Sequence, residues 1–301
     1  MPLNLRPFPR DYLPLGVAIE PKSKDHASKL ADVLRGIAAK ERGYAFSIDE
    51  ESGQVRLDAM SESGIEAALQ ALRGAGVAMN VGAPLVAYRE ILAAPVEADN
   101  THKKQNGVTE QFARVKLRFE PNSRSMSNTF INSASPEAVP SQYSPGVERG
   151  FLSVTRSGPR IGFPVVACRA ILLDGAWHDT DSSELAFEIA TRAAFREAAA
   201  GTAMKVLEPY LEVNITTPEA FVGTVIGDFK SRRGVSNAKE LSPGVVAIYG
   251  FVPLANAIGY EAHLGSMTQN AATHSWKLAG LEEVPMDGGD APFTSAAVLR
   301  G

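Results

Sequence analysis

Twice in this chain the apolar pattern runs strand, helix, strand, strand, helix, strand, and that repeat narrows the available folds more than any other feature. In the first copy Val17 and Ile19 alternate, and Ser23 stands where a helix cap belongs. Leu30, Val33, Leu34 and Ile37 then fall at i, i+3, i+4 and i+7, and Gly43 ends the helix. Residues 44–48 and 55–60 read as strands around the polar, glycine-bearing link 49–53, a hairpin composition. Ser63 with Glu66 is expected to open a second helix carrying Ile65, Ala68, Leu69 and Leu72 on one face, and residues 77–81 close the unit. This is the split βαβ, or ferredoxin-like, order.

The second copy begins with the alternation of Leu211, Val213 and Ile215. Thr217-Pro218 reads as a cap followed by proline at the first helical position, and Val222, Val225, Ile226 and Phe229 line that helix until Gly234. Residues 235–241 and 245–252 are expected as strands about the turn Ser242-Pro243-Gly244. A less periodic helix from Leu254 and a strand through His274, Trp276 and Leu278 complete the unit.

Between the copies lies a β/α segment with a long strand at 111–119, a helix at 145–157, a near-continuous apolar strand at 163–173 and a helix from Glu184 to about Ala200. Asp181 with Glu184 has capping-box spacing, and Leu185, Ile189, Ala193 and Arg196 mark the helix's repeat. His178 and Asp179 therefore fall in a loop at a helix N-terminus, which favours an anionic partner such as phosphate. Residues 122–141, rich in Ser, Asn and Pro, read as irregular.

The fold class is α+β: two ferredoxin-like split βαβ domains flank a central β/α domain of the ribosomal-protein-like kind. The expected division is a leader at 1–14, domains at 15–83, 84–207 and 208–285, and a disordered acidic, glycine-rich tail at 286–301. A 301-residue chain with 45% apolar and 21% charged residues suits several small folded domains. A net charge of -4 excludes global attraction to nucleic acid, so such binding needs local patches. The single cysteine, Cys168, excludes a disulfide framework and reads as a small buried hydrophobe in a cytoplasmic protein. No apolar run reaches the ~18 residues of a membrane span, and no signal peptide is evident.

Phosphate-loop, serine-elbow, zinc-helix and Cys-x-x-Cys motifs are absent from the sequence, which argues against an enzyme and calls for no cofactor. His178, Asp179 and Asp181 have metal-ligand chemistry, but His26, His102, His263 and His274 stand in unrelated contexts; no metal site is assigned. Arg114, Lys116 and Arg118 share one strand face near His102, Lys103 and Lys104, a solvated row before it is an RNA-facing one. Lys230, Arg232 and Arg233 crowd a helix end, where cations complement the dipole.

On longer strings the chain resembles the third, fourth and fifth domains of elongation factor G, the ribosomal translocation GTPase. Val17-Ala18-Ile19-Glu20-Pro21-Lys22 is similar to the third domain's opening strand, and residues 81–90 to the junction into the fourth. His178-Asp179-Thr180-Asp181-Ser182-Ser183 resembles a loop at the fourth domain's tip, and Leu207-Glu208-Pro209 the entry to the fifth. Residues 225–234 and Val252-Pro253-Leu254 resemble fifth-domain signatures. The resemblance implies a ribosome-binding role in translocation, with rRNA and tRNA at the decoding region as partners and the protein a monomer. His178, Asp179, Asn106, Gly107 and Gln111 would form the RNA-contact tip, and Lys230, Arg232, Arg233, Ser266, Thr268 and Gln269 a second ribosome contact.

Departures accompany the match. The family's nucleotide-binding domain has no counterpart, so GTP hydrolysis would require a separate GTPase partner. The tip loop Asn106-Gly107-Val108-Thr109-Glu110-Gln111 has lost glycines and gained a carboxylate, residues 61–65 lack the third domain's usual string, and residues 265–271 lack arginines. Met1 ahead of the leader favours a free-standing truncated relative over part of a longer factor. A repurposed protein-interaction module and a metal-assisted hydrolase using His178, Asp179 and Asp181 are the competing readings.

Overall fold

The computed structural model describes residues 3–49, 53–106 and 109–285. The expected tail at 286–301, and Gly107 of the tip, lie outside the described residues. Among the described residues, contacts divide the chain into two compact units, one built mainly from residues 11–87 and 208–282, the other mainly from residues 88–207.

The first unit opens with β1 (Leu15–Pro21), α1 (Lys24–Lys40), β2 (Tyr44–Ile48), β3 (Val55–Ala59), α2 (Glu62–Gly74), β4 (Met79–Val81) and the short β5 (Leu85–Val86). The strands run β2-β3-β1-β4, with β5 also on β1. Ser23 caps α1 by accepting the His26 amide, as its position predicts. The cap of α2 is Ser61, two residues before the expected Ser63, and it accepts the Gly64 amide. Ile65, Ala68, Leu69 and Leu72 are all buried, as their 3.6-residue period predicts.

The second unit contains β6 (Arg89–Leu92), β7 (Val96–Asn106), β8 (Thr109–Pro121), β9 (Thr129–Asn132), α3 (Ser144–Val154), β10 (Cys168–Ala176) and α4 (Glu184–Gly201). Its sheet runs β7-β8-β10-β9, with β9 parallel to β10 and the other pairs antiparallel. Strand β9 lies inside the segment expected to be irregular; only four residues pair, too few to stand out among Ser, Asn and Pro. The expected strand at 163–173 begins late, at Cys168. Ala167 is left-handed at φ 52°, and the Val166 and Ala167 amides donate to Glu90 and Met126 instead of a ladder.

Helix α4 turns a different face to the core than its spacing suggested. Ala186, Phe187, Ala190, Ala194, Phe195 and Ala198 are buried, while Leu185 is 52% exposed. Small residues are selected there because α3 packs very closely. A Cβ on Gly150 would lie 2.6 Å from the Glu188 carbonyl oxygen, and one on Gly146 would overlap the Glu184 carbonyl. Phe119, Phe151 and Phe195 meet edge-on and stacked in this core.

The first unit is completed by β11 (Met204–Pro218), of which residues from Glu208 belong to it, α5 (Glu219–Ser231), β12 (Val235–Ser242), β13 (Val245–Pro253), the short α6 (Leu254–Ala257), α7 (Tyr260–Met267) and β14 (Thr273–Glu283). The order β12-β13-β11-β14 repeats that of the first sheet, giving the α+β class with its two split βαβ domains. Thr217 does not cap α5: Pro218 holds the cap position without a side-chain bond, and Thr217 is buried on the sheet.

Candidate nucleic-acid interface

The β7–β8 hairpin outruns its sheet. Strand β10 ends at Ala176 opposite Arg114, whereas β7 and β8 go on pairing with one another out to Asn106 and Thr109. At ~3.4 Å per residue the five residues beyond Arg114 project by roughly 17 Å. The loop after β10 is tied to the root of this projection. The Phe112 amide donates to Asp181 O (2.9 Å), and the Ser182 hydroxyl donates to Phe112 O (2.8 Å) while accepting the His178 amide (2.9 Å). Gln111 is held on the hairpin by its carboxamide 3.0 Å from His102 Nε2.

His178 is exposed at the mouth of this loop, with Nδ1 3.0 Å from Asp181 Oδ2 and 3.1 Å from the Thr180 hydroxyl. Asp179 and Thr180 beside it are exposed. The expected capping box is corrected by the structure: Ser183 caps α4, accepting the Ala186 amide at 3.1 Å, and Asp181 turns back to His178 and Thr180. Glu184 in the first helical turn pairs with Arg149. The positive end of α4 is thus already complemented by its own chain, and what the loop offers outward is an imidazole and a carboxylate. Sequence inspection missed Ser182 as the pin between loop and hairpin, because its partners are Phe112 and the His178 backbone. Among the described residues no group of three or more His, Cys, Asp or Glu could hold a metal ion, and His178, Asp179 and Asp181 form none.

The basic row on β8 is neutralised in place. Arg114 donates through Nε to Asp99 Oδ1 at 2.8 Å and lies 3.4 Å from Asp174; Lys116 faces Glu97 and Arg118 faces Glu120. The guanidinium of Arg114 titrates above its ordinary range, chiefly through its hydrogen bond to Asp99. A recess of about 940 Å³, lined by Arg160, Arg196 and Met204 among others, lies at the C-terminal end of α4 and does not include His178.

The residues expected as a second contact separate into two groups. Lys230, Ser266 and Gln269 are exposed. Arg232 donates to Asp228 Oδ2 and Asn256 O, both at 2.8 Å, and lies 4.5 Å over the Tyr260 ring. Arg233, left-handed at φ 62°, donates to Glu208 Oε2 at 2.6 Å and to Asn256 Oδ1. Both guanidinium groups serve the domain's interior, with partners too distant in sequence to be foreseen. Thr268 is fully buried, its hydroxyl donating to Leu264 O at 2.7 Å, and is corrected from a contact residue to a helix-terminal one. Glu208 is fully buried, and burial pushes its carboxyl above the ordinary carboxylate range despite Arg233.

A β/α domain with a projecting two-stranded tip, carried by a chain that also holds two split βαβ domains, is the build of a translation-factor type of protein. Family comparison agrees across the chain: residues 13–83 match elongation factor G domain III, 84–203 domain IV and 205–290 the elongation factor G C-terminus. Elongation factor G of Paracoccus denitrificans (strain Pd 1222) is 43% identical over 272 residues, covering 90% of this chain and 38% of that protein. A crystal structure of a protein from Thermus thermophilus is similar at a TM-score of 0.69 and 30% identity, covering 93% of this chain and 42% of the other. The chain belongs to the elongation factor G family, and it spans well under half the length of these relatives.

Proposed function

We propose that the chain is a ribosome-binding factor of the elongation factor G kind, which acts in or modulates tRNA and mRNA translocation and hydrolyses no GTP itself. The observation that carries the reading is the overhang of the β7–β8 hairpin, with the His178 loop pinned to its root, in a chain matching three consecutive elongation factor G domains. Mechanically the tip works by occupancy. It is narrow enough to enter a groove of folded RNA, and His178, Asp179, Asn106 and Gln111 supply polar contacts near the decoding region. Lys230, Ser266 and Gln269 form the second contact, for rRNA; Arg232 and Arg233 shape that surface from inside.

Residues 15–83, 84–207 and 208–285 act as the three domains of a cytoplasmic monomer, and a separate GTPase supplies any nucleotide-driven step. Co-sedimentation with intact ribosomes and separate subunits over a salt series tests this. Saturable binding that weakens with salt is expected, because phosphate contacts release counterions. His178→Ala is expected to keep the fold while weakening binding or translocation. No binding at low salt would overturn the proposal in favour of a protein-interaction module.

A further inference from the structure

The two split βαβ sheets differ on the face turned away from their helices. In the second sheet, Val213 and Ile215 of β11 and Ile248 and Val252 of β13 face the core. The alternate residues are therefore on the other side. Register places Glu212 beside Phe251 and Phe251 beside Val235, then Asn214 beside Tyr249 and Tyr249 beside Asn237. Tyr249 is 46% and Val235 44% exposed, and Lys239, Thr273, Ser275 and Lys277 are exposed as well. Lys277 pairs with Glu212 at 3.0 Å, which puts its ammonium on the same face.

In the first sheet the equivalent strand, β3, carries Arg56 and Asp58 on that face, bonded to each other at 2.8 Å, with Gly16 and Ala18 on β1 alongside. The same topology is thus built with no aromatic on these two strands' open side, so Tyr249 and Phe251 are not demanded by the fold.

We propose that this open face, centred on Tyr249 and Phe251, binds an unpaired RNA strand. Two rings one residue apart on a central strand stand roughly 7 Å from each other and offer successive stacking platforms. Asn214 and Asn237 flank Tyr249, and each amide presents both a donor and an acceptor to a base edge. Lys239 and Lys277 against Glu212 leave the face net positive, complementary to phosphate. A protein partner fits less well, because polar amides and lysines interrupt the exposed apolar groups. The surface is distinct from the His178 tip and does not depend on it.

Fluorescence anisotropy of the whole chain with a labelled, unstructured RNA 12-mer, and with the same sequence as a duplex, tests the proposal. Saturable preference for the single strand is expected. Tyr249→Ala and Phe251→Ala should each weaken it about ten-fold, the size of one lost base–aromatic stack. Tyr249→Phe should bind like the parent, and Arg56→Ala should leave the affinity unchanged, which separates this surface from the other sheet. Because Phe251 is half-buried, circular dichroism checks its variant and Tyr249→Ala decides the matter alone. Absence of single-strand binding, or undiminished binding by a folded Tyr249→Ala, would overturn the proposal.

Discussion

Glu90 offers the sharpest test of how the second unit is held together. Its side chain is fully buried on β6, and its carboxylate accepts four backbone amides: Ile161 at 2.9 Å, Gly162 at 2.9 Å and Phe163 at 3.1 Å on Oε1, and Arg160 at 3.2 Å on Oε2. Gly158 must be glycine for the loop to close on it, since a Cβ there would overlap the carboxylate. A hydrogen bond to a charged group contributes roughly 1.5–3 kcal/mol, and four to one carboxylate do not add. Removing the side chain also relieves the cost of burying a charge, so Glu90→Ala is expected to destabilise by about 3–5 kcal/mol. Glu90→Gln keeps an acceptor for three amides but sets its own N–H₂ against the Arg160 amide, for about 2 kcal/mol. The chain has two tryptophans, Trp177 in the second unit and Trp276 in the first, so Trp276→Phe leaves a reporter for the unit that contains Glu90. The thermal unfolding midpoint followed by Trp177 fluorescence should fall by roughly 10–20 °C for Glu90→Ala and by about half that for Glu90→Gln. A Glu90→Ala midpoint within about 3 °C of the parent would refute the claim that this carboxylate organises the 157–163 loop.

Other expectations follow from the same geometry. Gly150→Ala forces a Cβ to 2.6 Å from the Glu188 carbonyl, so α3 and α4 must part, at a cost of about 2–4 kcal/mol visible in urea unfolding. Glu208 has a raised carboxyl pKa, chiefly from burial; its protonated form favours the folded state, and that stability is lost as pH rises from the ordinary carboxylate range through the native value. Glu208→Gln should flatten this part of the stability–pH curve, and an unchanged slope would remove Glu208 as its source. Burial pushes the Cys168 thiol up to about 12, so a thiol reagent at neutral pH should react only as fast as the protein unfolds, with rapid labelling of the native chain as the contrary result.

How much of this was legible in the sequence depended on how local the cause was. The face of α2 was readable because Ile65, Ala68, Leu69 and Leu72 are apolar enough to mark a period. That of α4 was not, because alanines fill it and Leu185 and Ile189 advertise the wrong side; what selects the alanines is the glycine surface of α3, far away in sequence. Serine caps were found to within two residues, since serine at a helix start is a local choice. The His178 loop was recognisable, yet its tie to Phe112 was invisible, as were the partners of Arg232, Arg233 and Thr268. Cations near a helix end read alike whether they reach outward or inward, and only the fold brings Glu208, Asn256 and Tyr260 to them.

Among the described residues the hairpin beyond Arg114 pairs with no third strand, although Ala113 at its root is fully buried in the core. Two strands alone are marginal in water, and that stretch takes its persistence from the sheet behind it rather than from its own residues. Past Phe112, whose backbone holds the 178–182 loop, substitution touches the core little, and a lineage could retune what the projection meets while the sheet behind it stays as it is. On the proposed reading, the stretch that meets a partner is also the one the sheet constrains least.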